Sequence, residues 1–405
     1  MLKHLALVSM ILTAQAGAVQ PPAVRPGADL LLTRHLQLLQ GKRVGMIVNH
    51  TSRLISGEFL VDTLRGAGVN VTALFGPEHG VRGAAGAGEK VTDGIDEKSG
   101  VPVYSLYGER NKPTAEMLQH VDLLIYDIQD VGARFYTYIS TLKLCMDAAA
   151  EHHIPFVVLD RPNPLGDRCD GPLLDDSMRS FVGIGPLPVV YGMTCGELAT
   201  FMNGAGWLEG GHKVDLTVIW MDGWHRRMLW QETGLPWLAP SPNIPTPETA
   251  EMYPSTCFLE ATNVSEGRGT PTPFFVLGAP FLDADRLSNA LNARALPGVR
   301  FAPETFTPVS SKHKGVVCAG VRIALTDRGL FKPVQTGLAI LAELILQRPD
   351  SVALNGRWLG KLLGKGDVAL FLKEGGDPAT LEPAWVAERD GFVRERAKFL
   401  HYPPR

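Results

Sequence analysis

Several things are scarce in this 405-residue chain, and each scarcity excludes something. Cysteine is one. Cys145, Cys169, Cys195, Cys257 and Cys318 stand far apart with no C-x-x-C pair, so neither a zinc ribbon nor a dense disulfide scaffold is written here. An odd number leaves at least one thiol free, and Cys145 and Cys318, set in apolar patterns, are expected to pack as small hydrophobes. Excess charge is also lacking. Lys plus Arg is 39 against 42 Asp plus Glu, a net charge of −3, whereas a dedicated nucleic-acid binder needs a positive surplus to meet phosphates. Hydrophobic residues at 45% and charged residues at 20% exclude a disordered chain. No segment reaches the roughly 18 consecutive apolar residues of a membrane span. H-E-x-x-H and G-x-S-x-G are missing, which disfavours a zinc peptidase and a standard serine hydrolase. The glycine run from Gly83 to Gly88 neither satisfies G-x-G-x-x-G nor joins a strand directly to a helix, so no nucleotide site is read there. A strand-end set of His50, His79, Asp127 and Asp160 is the one arrangement that hints at a metal, but with no clustered His run neither metal nor other cofactor is expected.

What is present begins with a leader. Lys3 and His4 precede an apolar run from Leu5 to Leu12, and Ala14-Gln15-Ala16 and Ala16-Gly17-Ala18 offer small-residue cleavage sites. That is the layout of a secretory signal peptide over residues 1–18, which places the mature protein outside the cytoplasm, secreted or periplasmic, with no stable membrane anchor. The remaining length suggests about two domains at roughly 150 residues each.

From 27 to 165, apolar runs alternate with helix-like stretches. Strands are expected at 44–48, 69–75, 101–106, 121–126 and 154–159, with helices near 57–68, 113–120 and 136–153. Val-, Ile- and Leu-rich strands joined by crossover helices imply an α/β fold with a parallel sheet covered on both faces. Residues 166–275 read as a loop-rich connection, with five of the seven Trp between Trp207 and Trp237. From 276 to 405, a strand near 315–327 and helices near 334–347 and 384–400 suggest a smaller α+β domain.

Open parallel sheets bind ligands beyond the carboxyl ends of their strands. Four of the five strand ends here carry polar groups: Asn49-His50-Thr51, then Glu78-His79 with Arg82, then Asp127, Gln129, Asp130 and Arg134, and finally Asp160-Arg161-Pro162-Asn163. Glu78, in a turn after Pro77, is the sharpest of them. A partly desolvated carboxyl there has a raised pKa and suits general acid work, while the plainer alternative is a surface Glu or a carboxylate paired with Arg82. His79 either orients Glu78 or serves the fold. Asp130 or Asp127 could be the second carboxylate that glycosidases usually need, or could hold Arg134 or Arg161. Tyr136 or Tyr138 could stack on a sugar face, with the other in the core. X-Pro bonds on both sides of Asn163 restrict its backbone. Glu266 and Arg268 reach the same cleft only if the second domain folds over the first, and Arg is the natural partner of a substrate carboxylate.

The stretches VGMIVNHTS, LFGPEHGVRG, LLIYDIQDVGARFYTYISTL, VVLDRPNPLG, YGMTCGELA, PSPNIPT (with Asn243) and EATNVSEGRGT, in this order, resemble the NamZ family of exo-β-N-acetylmuramidases. The resemblance covers about residues 28–400. It implies a Rossmann-like N-terminal domain without nucleotide, a smaller C-terminal domain and an active cleft between them. It further implies release of N-acetylmuramic acid from the non-reducing ends of peptidoglycan fragments, with Glu78 of the PEHG motif catalytic. The second catalytic group stays open among Asp130, Asp127 and the substrate's own acetamido group. Arg134, Arg161 or Arg268 would hold the lactyl carboxylate. A non-catalytic cell-wall saccharide binder, or another periplasmic hydrolase using the same cleft, are the rival readings.

Overall fold

The structure is a computed structural model, and it describes residues 24–83 and 92–404. The proposed signal peptide, and the glycine run from residue 84 onward, lie outside the described residues. The strands are β1 (Arg43–Val48), β2 (Asn70–Gly76), β3 (Gly94–Ile95), β4 (Pro102–Ser105), β5 (Leu123–Asp127), β6 (Phe156–Leu159), β7 (Asp170–Leu173), β8 (Pro188–Val190), β9 (Leu216–Ile219), β10 (Val276–Ala279), β11 (Val299–Phe306) and β12 (Cys318–Leu325). The α-helices are α1 (Gly27–Leu30), α2 (Leu60–Gly66), α3 (Ala115–Leu118), α4 (Tyr138–Glu151), α5 (Cys195–Gly204), α6 (Pro247–Thr256), α7 (Ala284–Ala293), α8 (Pro333–Gln347), α9 (Gly356–Leu363), α10 (Val368–Lys373) and α11 (Glu382–Arg396).

Seven strands form the main sheet in the order β3-β4-β2-β1-β5-β6-β9, parallel except for the short β3. β5 and β6 are buried along their whole length, as strands covered on both faces must be. α1 and α2 pack on one face, around Leu30, Leu60, Leu64, Met46 and Ile125. α4 and α5 cover the other, around Ile139, Leu142, Leu198 and Phe201. That second core does not stop at the sheet. It continues through Phe258 and Phe274 to Leu338, Leu363 and Phe392, so the C-terminal elements close over the same apolar mass. A three-stranded antiparallel sheet, β10-β12-β11, lies within them.

The five expected strands are all present. The stretch from 166 to 275, read as connection, also supplies β9 to the main sheet's edge and the helix α5. α5 starts with a capping box, in which the Thr194 hydroxyl accepts from the Glu197 backbone N–H and the Glu197 carboxylate accepts from that of Thr194. β9 is four residues long and half-exposed, which gives it little apolar periodicity to detect. All five cysteines are free, and Cys145 and Cys318 are fully buried.

From the central β1 the chain builds outward through β2 and β4, then returns to the other side for β5, β6 and β9. The strand order therefore reverses beside β1, and the loops leaving β1, β2, β4 and β5 gather along one rim, where doubly wound sheets place their ligands.

Candidate active site

A cleft with a volume of about 390 Å³ opens at that rim. Its walls come from Glu78, His79, Tyr107, Phe135, Tyr136, Thr137, Val182, Ser241, Asn243 and Ile244 on one side. Tyr253, Glu260, Glu266, Arg268, Phe274, Ser311, Lys312 and Trp358 supply the other. Part of the lining is buried, Phe274 fully so and Phe135, Tyr253 and Glu266 nearly so, while Glu78, Tyr107, Val182 and Trp358 are half-exposed.

Glu78 is placed by the turn that ends β2. Pro77 follows Gly76, and His79 and Gly80 both take a left-handed backbone with φ near 73°. The Gly80 N–H donates to the Pro77 carbonyl at 2.9 Å. This reverses the chain within one residue of Glu78 and throws its carboxyl outward from the strand end. The Thr137 hydroxyl, just before α4, donates to Glu78 Oε2 at 3.0 Å, and the Tyr107 hydroxyl is hydrogen-bonded to the same carboxylate. Burial and the adjacent Glu78 charge raise the pKa of the Tyr107 phenol, which keeps it a donor. Six non-glycine residues among those described have positive φ, and three of them, His79, Phe274 and Ser311, line this cleft. Backbone strain of this kind concentrates where a fold holds functional groups in place.

The opposite wall carries a compact charge lattice. Glu266, 1% exposed, meets Lys312 Nζ at 3.0 Å and Arg268 Nε at 3.0 Å. Arg268 also pairs with Glu260 and lies over the Phe274 ring at 5.2 Å. Lys312 Nζ donates as well to the carbonyls of Leu259 at 2.7 Å and Val264 at 3.1 Å. Burial raises the Glu260 carboxyl, with Arg268 opposing. Burial pulls Arg268 down, but Glu260 and Glu266 outweigh it and the guanidinium ends above its ordinary value. The loop bearing these groups needs glycine at 267 and 269. Both have φ near 80°, and a Cβ at 267 would sit 2.5 Å from the Val276 carbonyl.

Of the residues picked out from the sequence, Glu78, His79, Tyr136, Asn243, Glu266 and Arg268 line the cleft together. The others do not line it, and most of them tie loops of the fold together. Asn49 Oδ1 accepts from the Thr51 N–H and hydroxyl, and Thr51 Oγ1 accepts from the Gln129 N–H at 3.0 Å, stitching the ends of β1 and β5. The Gln129 side chain donates to the carbonyls of Asp130 and Pro162. Asp127 forms a two-point ion pair with Arg161, at 2.5 and 2.8 Å, with both side chains almost wholly buried. Asp130 accepts from the Gly132 N–H at 2.7 Å and from the Tyr191 hydroxyl, and burial raises its carboxyl to about 6. Asp160 accepts from the Gly196 N–H and the Thr194 and Tyr402 hydroxyls, anchoring the C-terminal strap, and burial raises it to about 7. Asn163 ties the Met193 carbonyl to the Leu165 N–H.

Arg134 and Arg82 are committed elsewhere too. Arg134 is fully buried and donates only to carbonyls, those of Pro172, Leu187 and Leu362, so it braces α9 against the β7–β8 ribbon instead of reaching a ligand. Arg82 makes a two-point pair with Asp96, both contacts 2.7 Å, and joins Asp62 on an outer surface. Tyr138 sits in the core with its hydroxyl on the Pro240 carbonyl. Among the described residues no cluster of three or more His, Cys, Asp or Glu is arranged to hold a metal ion.

Sequence reasoning passed over Tyr107, Thr137, Ser241, Glu260, Lys312 and Trp358. Tyr107 follows β4, the one expected strand whose end the sequence reading did not single out, although Glu109 and Arg110 stand just beyond it. Glu260 opens the stretch that contains Glu266 and Arg268, and its spacing from Glu266 was the available signal. Lys312 lies in a loop of no distinctive composition, and nothing local marks it.

Comparisons with known proteins agree with this architecture. Residues 44–248 match the family model described as exo-beta-N-acetylmuramidase NamZ, N-terminal, and residues 251–402 match its C-terminal counterpart. The cleft draws its lining from both matched regions. The peptidoglycan beta-N-acetylmuramidase NamZ of Bacillus subtilis (strain 168) is 46% identical over 384 residues, which cover 94% of this chain and 92% of that protein. Two crystal structures of DUF1343 family proteins from Bacteroides fragilis NCTC 9343 superpose closely. One has a TM-score of 0.88 at 35% identity, covering 95% of this chain and 100% of its own, and the other 0.79 at 33%, covering 94% and 99%. The chain belongs to the NamZ family of exo-β-N-acetylmuramidases.

Proposed function

We propose that this protein hydrolyses the β-1,4 bond of non-reducing terminal N-acetylmuramic acid in peptidoglycan fragments, with Glu78 as general acid. The observation that carries the assignment is the placement of Glu78. It is a half-exposed carboxyl, held by the Thr137 and Tyr107 hydroxyls, in the wall of the cleft that both matched regions line. Close likeness to a relative named as a peptidoglycan β-N-acetylmuramidase supports the substrate class. A volume near 390 Å³ lies at the low end of the roughly 300–1,000 Å³ of small-molecule sites, which suits one substituted sugar better than a strand of them.

In this reading Glu78 protonates the glycosidic oxygen as the C1–O bond breaks, a water then adds its hydroxyl at C1, and the proton it releases restores the acid. The positive charge developing at C1 meets a carboxylate of Glu260 or Glu266, in the wall they share with Arg268 and Lys312, or the substrate's acetamido oxygen. Asp127 and Asp130, the carboxylates first considered for this part, are turned inward to Arg161 and to Gly132 and Tyr191. Of the three arginines considered for the lactyl carboxylate, Arg268 alone lines the cleft, and Lys312 stands beside it. A signal peptide over residues 1–18 and an extracytoplasmic substrate put the work outside the cytoplasm, and release of a single sugar fits cell-wall turnover and recycling.

Glu78→Gln tests the assignment. Turnover of N-acetylmuramyl-β-1,4-N-acetylglucosamine should fall by about 10²–10⁴ while the disaccharide still binds. Parent-rate hydrolysis by the variant overturns the role of Glu78, and absence of turnover in the parent protein overturns the activity.

A further inference from the structure

The geometry points to Tyr107, backed by Phe181, as the platform on which the leaving sugar rests, which makes this ring a specificity element for the aglycone side of the bond. The inference rests on the muramidase reading and extends it past the sugar held in the cleft to the one being released.

A general acid that protonates a glycosidic oxygen must lie between the two sugars that oxygen joins. The Tyr107 hydroxyl is hydrogen-bonded to that acid, so its ring borders the scissile bond. Which side it borders follows from burial. The floor residues Phe274, Tyr253 and Glu266 are closed off from solvent, so an exo-acting enzyme seats the terminal sugar against them and the remainder of the glycan leaves through the opening. Tyr107 is half-exposed, more open to solvent than they are.

The ring is also held for such a task. Its backbone is clamped at the end of β4 by the Ser105 side chain, which donates to the Tyr107 carbonyl at 3.2 Å and accepts from its N–H at 3.3 Å. Phe181 supports it, with ring centroids 6.1 Å apart at 52°. Phe181 is in turn fixed through its carbonyl by the Ser140 hydroxyl at 2.7 Å. A half-exposed aromatic ring held by packing beside the acid is a surface on which a pyranose ring can pack.

Two substitutions and two substrates test this. Tyr107→Phe and Tyr107→Ala both lose the hydroxyl bonded to Glu78, so the difference between them isolates the ring. One substrate is the disaccharide with an N-acetylglucosamine leaving group, and the other is methyl β-N-acetylmuramide, whose leaving group has no ring. Going from Phe to Ala should lower kcat/KM about tenfold for the disaccharide, mostly through KM, and change it by less than about twofold for the methyl glycoside. An equal fall on both substrates would make Tyr107 a support for Glu78 only, and no fall on either would remove the platform. Both outcomes overturn this inference and leave the muramidase reading standing, because parent turnover is measured in the same assay and its absence alone sinks that reading.

Discussion

Replacing Asp127 by Asn separates a scaffold role from a chemical one at the end of β5. The carboxylate meets Arg161 at two points, 2.5 and 2.8 Å, with side chains 0% and 8% exposed. The amide preserves shape and volume but leaves a buried guanidinium without its counter-charge. Removing one partner of such a pair costs about 3–5 kcal/mol, because the orphaned charge keeps its desolvation penalty. With an unfolding entropy of about 2.1 cal/mol/K per residue, a chain of this size gains about 0.8 kcal/mol per K, so the melting temperature should drop by about 4–6 °C. Calorimetry of parent and variant measures this, and urea titration checks it. Turnover at 25 °C, where the variant is still folded, should stay within a few-fold of the parent. The double change Asp127→Leu with Arg161→Met should recover much of the loss, since it removes both charges. A variant that melts with the parent yet has lost turnover refutes the reasoning and returns Asp127 to the chemistry.

Other outcomes follow from the same structure. Gly132→Ala should destabilise by about 2–4 kcal/mol, because φ is +82° there and a Cβ would lie 2.3 Å from Asn163 Oδ1, and denaturant midpoints would register it. Stability should fall as pH rises from about 4 to 7. Asp130 and Asp160 are pushed by burial to about 6 and about 7, so their contribution is complete below the unfolded value near 3.9 and is lost on ionisation. Asp96, held at about 2 by Arg82, acts with the opposite sign and only below pH 4. Asp160→Asn should therefore flatten the urea midpoint between about pH 4 and 7, and an undiminished slope would show that the carboxyl is not its source. Lys312→Met should raise KM for muramyl substrates about tenfold with an unchanged circular dichroism spectrum, and an unaltered KM would remove this amine from substrate binding.

Sequence alone was enough for the architecture, because a parallel sheet announces itself locally. Runs such as Val44–Val48 and Leu123–Tyr126 are apolar on both faces, and helical periodicity fills the gaps between them. It also marked Glu78, since Pro77, His79 and Gly80 around a strand-end acid describe a turn that ejects a side chain. β9 escaped notice because a half-exposed four-residue edge strand buries too little to impose a pattern.

Only the tertiary structure decided which polar residues line the cleft and which hold the frame. Asp127, Asp160, Arg161 and Asn163 carry as much chemical promise in sequence as Glu78 does, yet each is engaged by a partner between 30 and 242 positions away. The cleft, in turn, is completed by Glu260, Glu266, Arg268 and Lys312. Those groups reach it because the C-terminal elements share one apolar core with the sheet. The direction of a side chain at a loop is set by long-range packing and charge pairing, which the spacing of neighbouring residues does not determine.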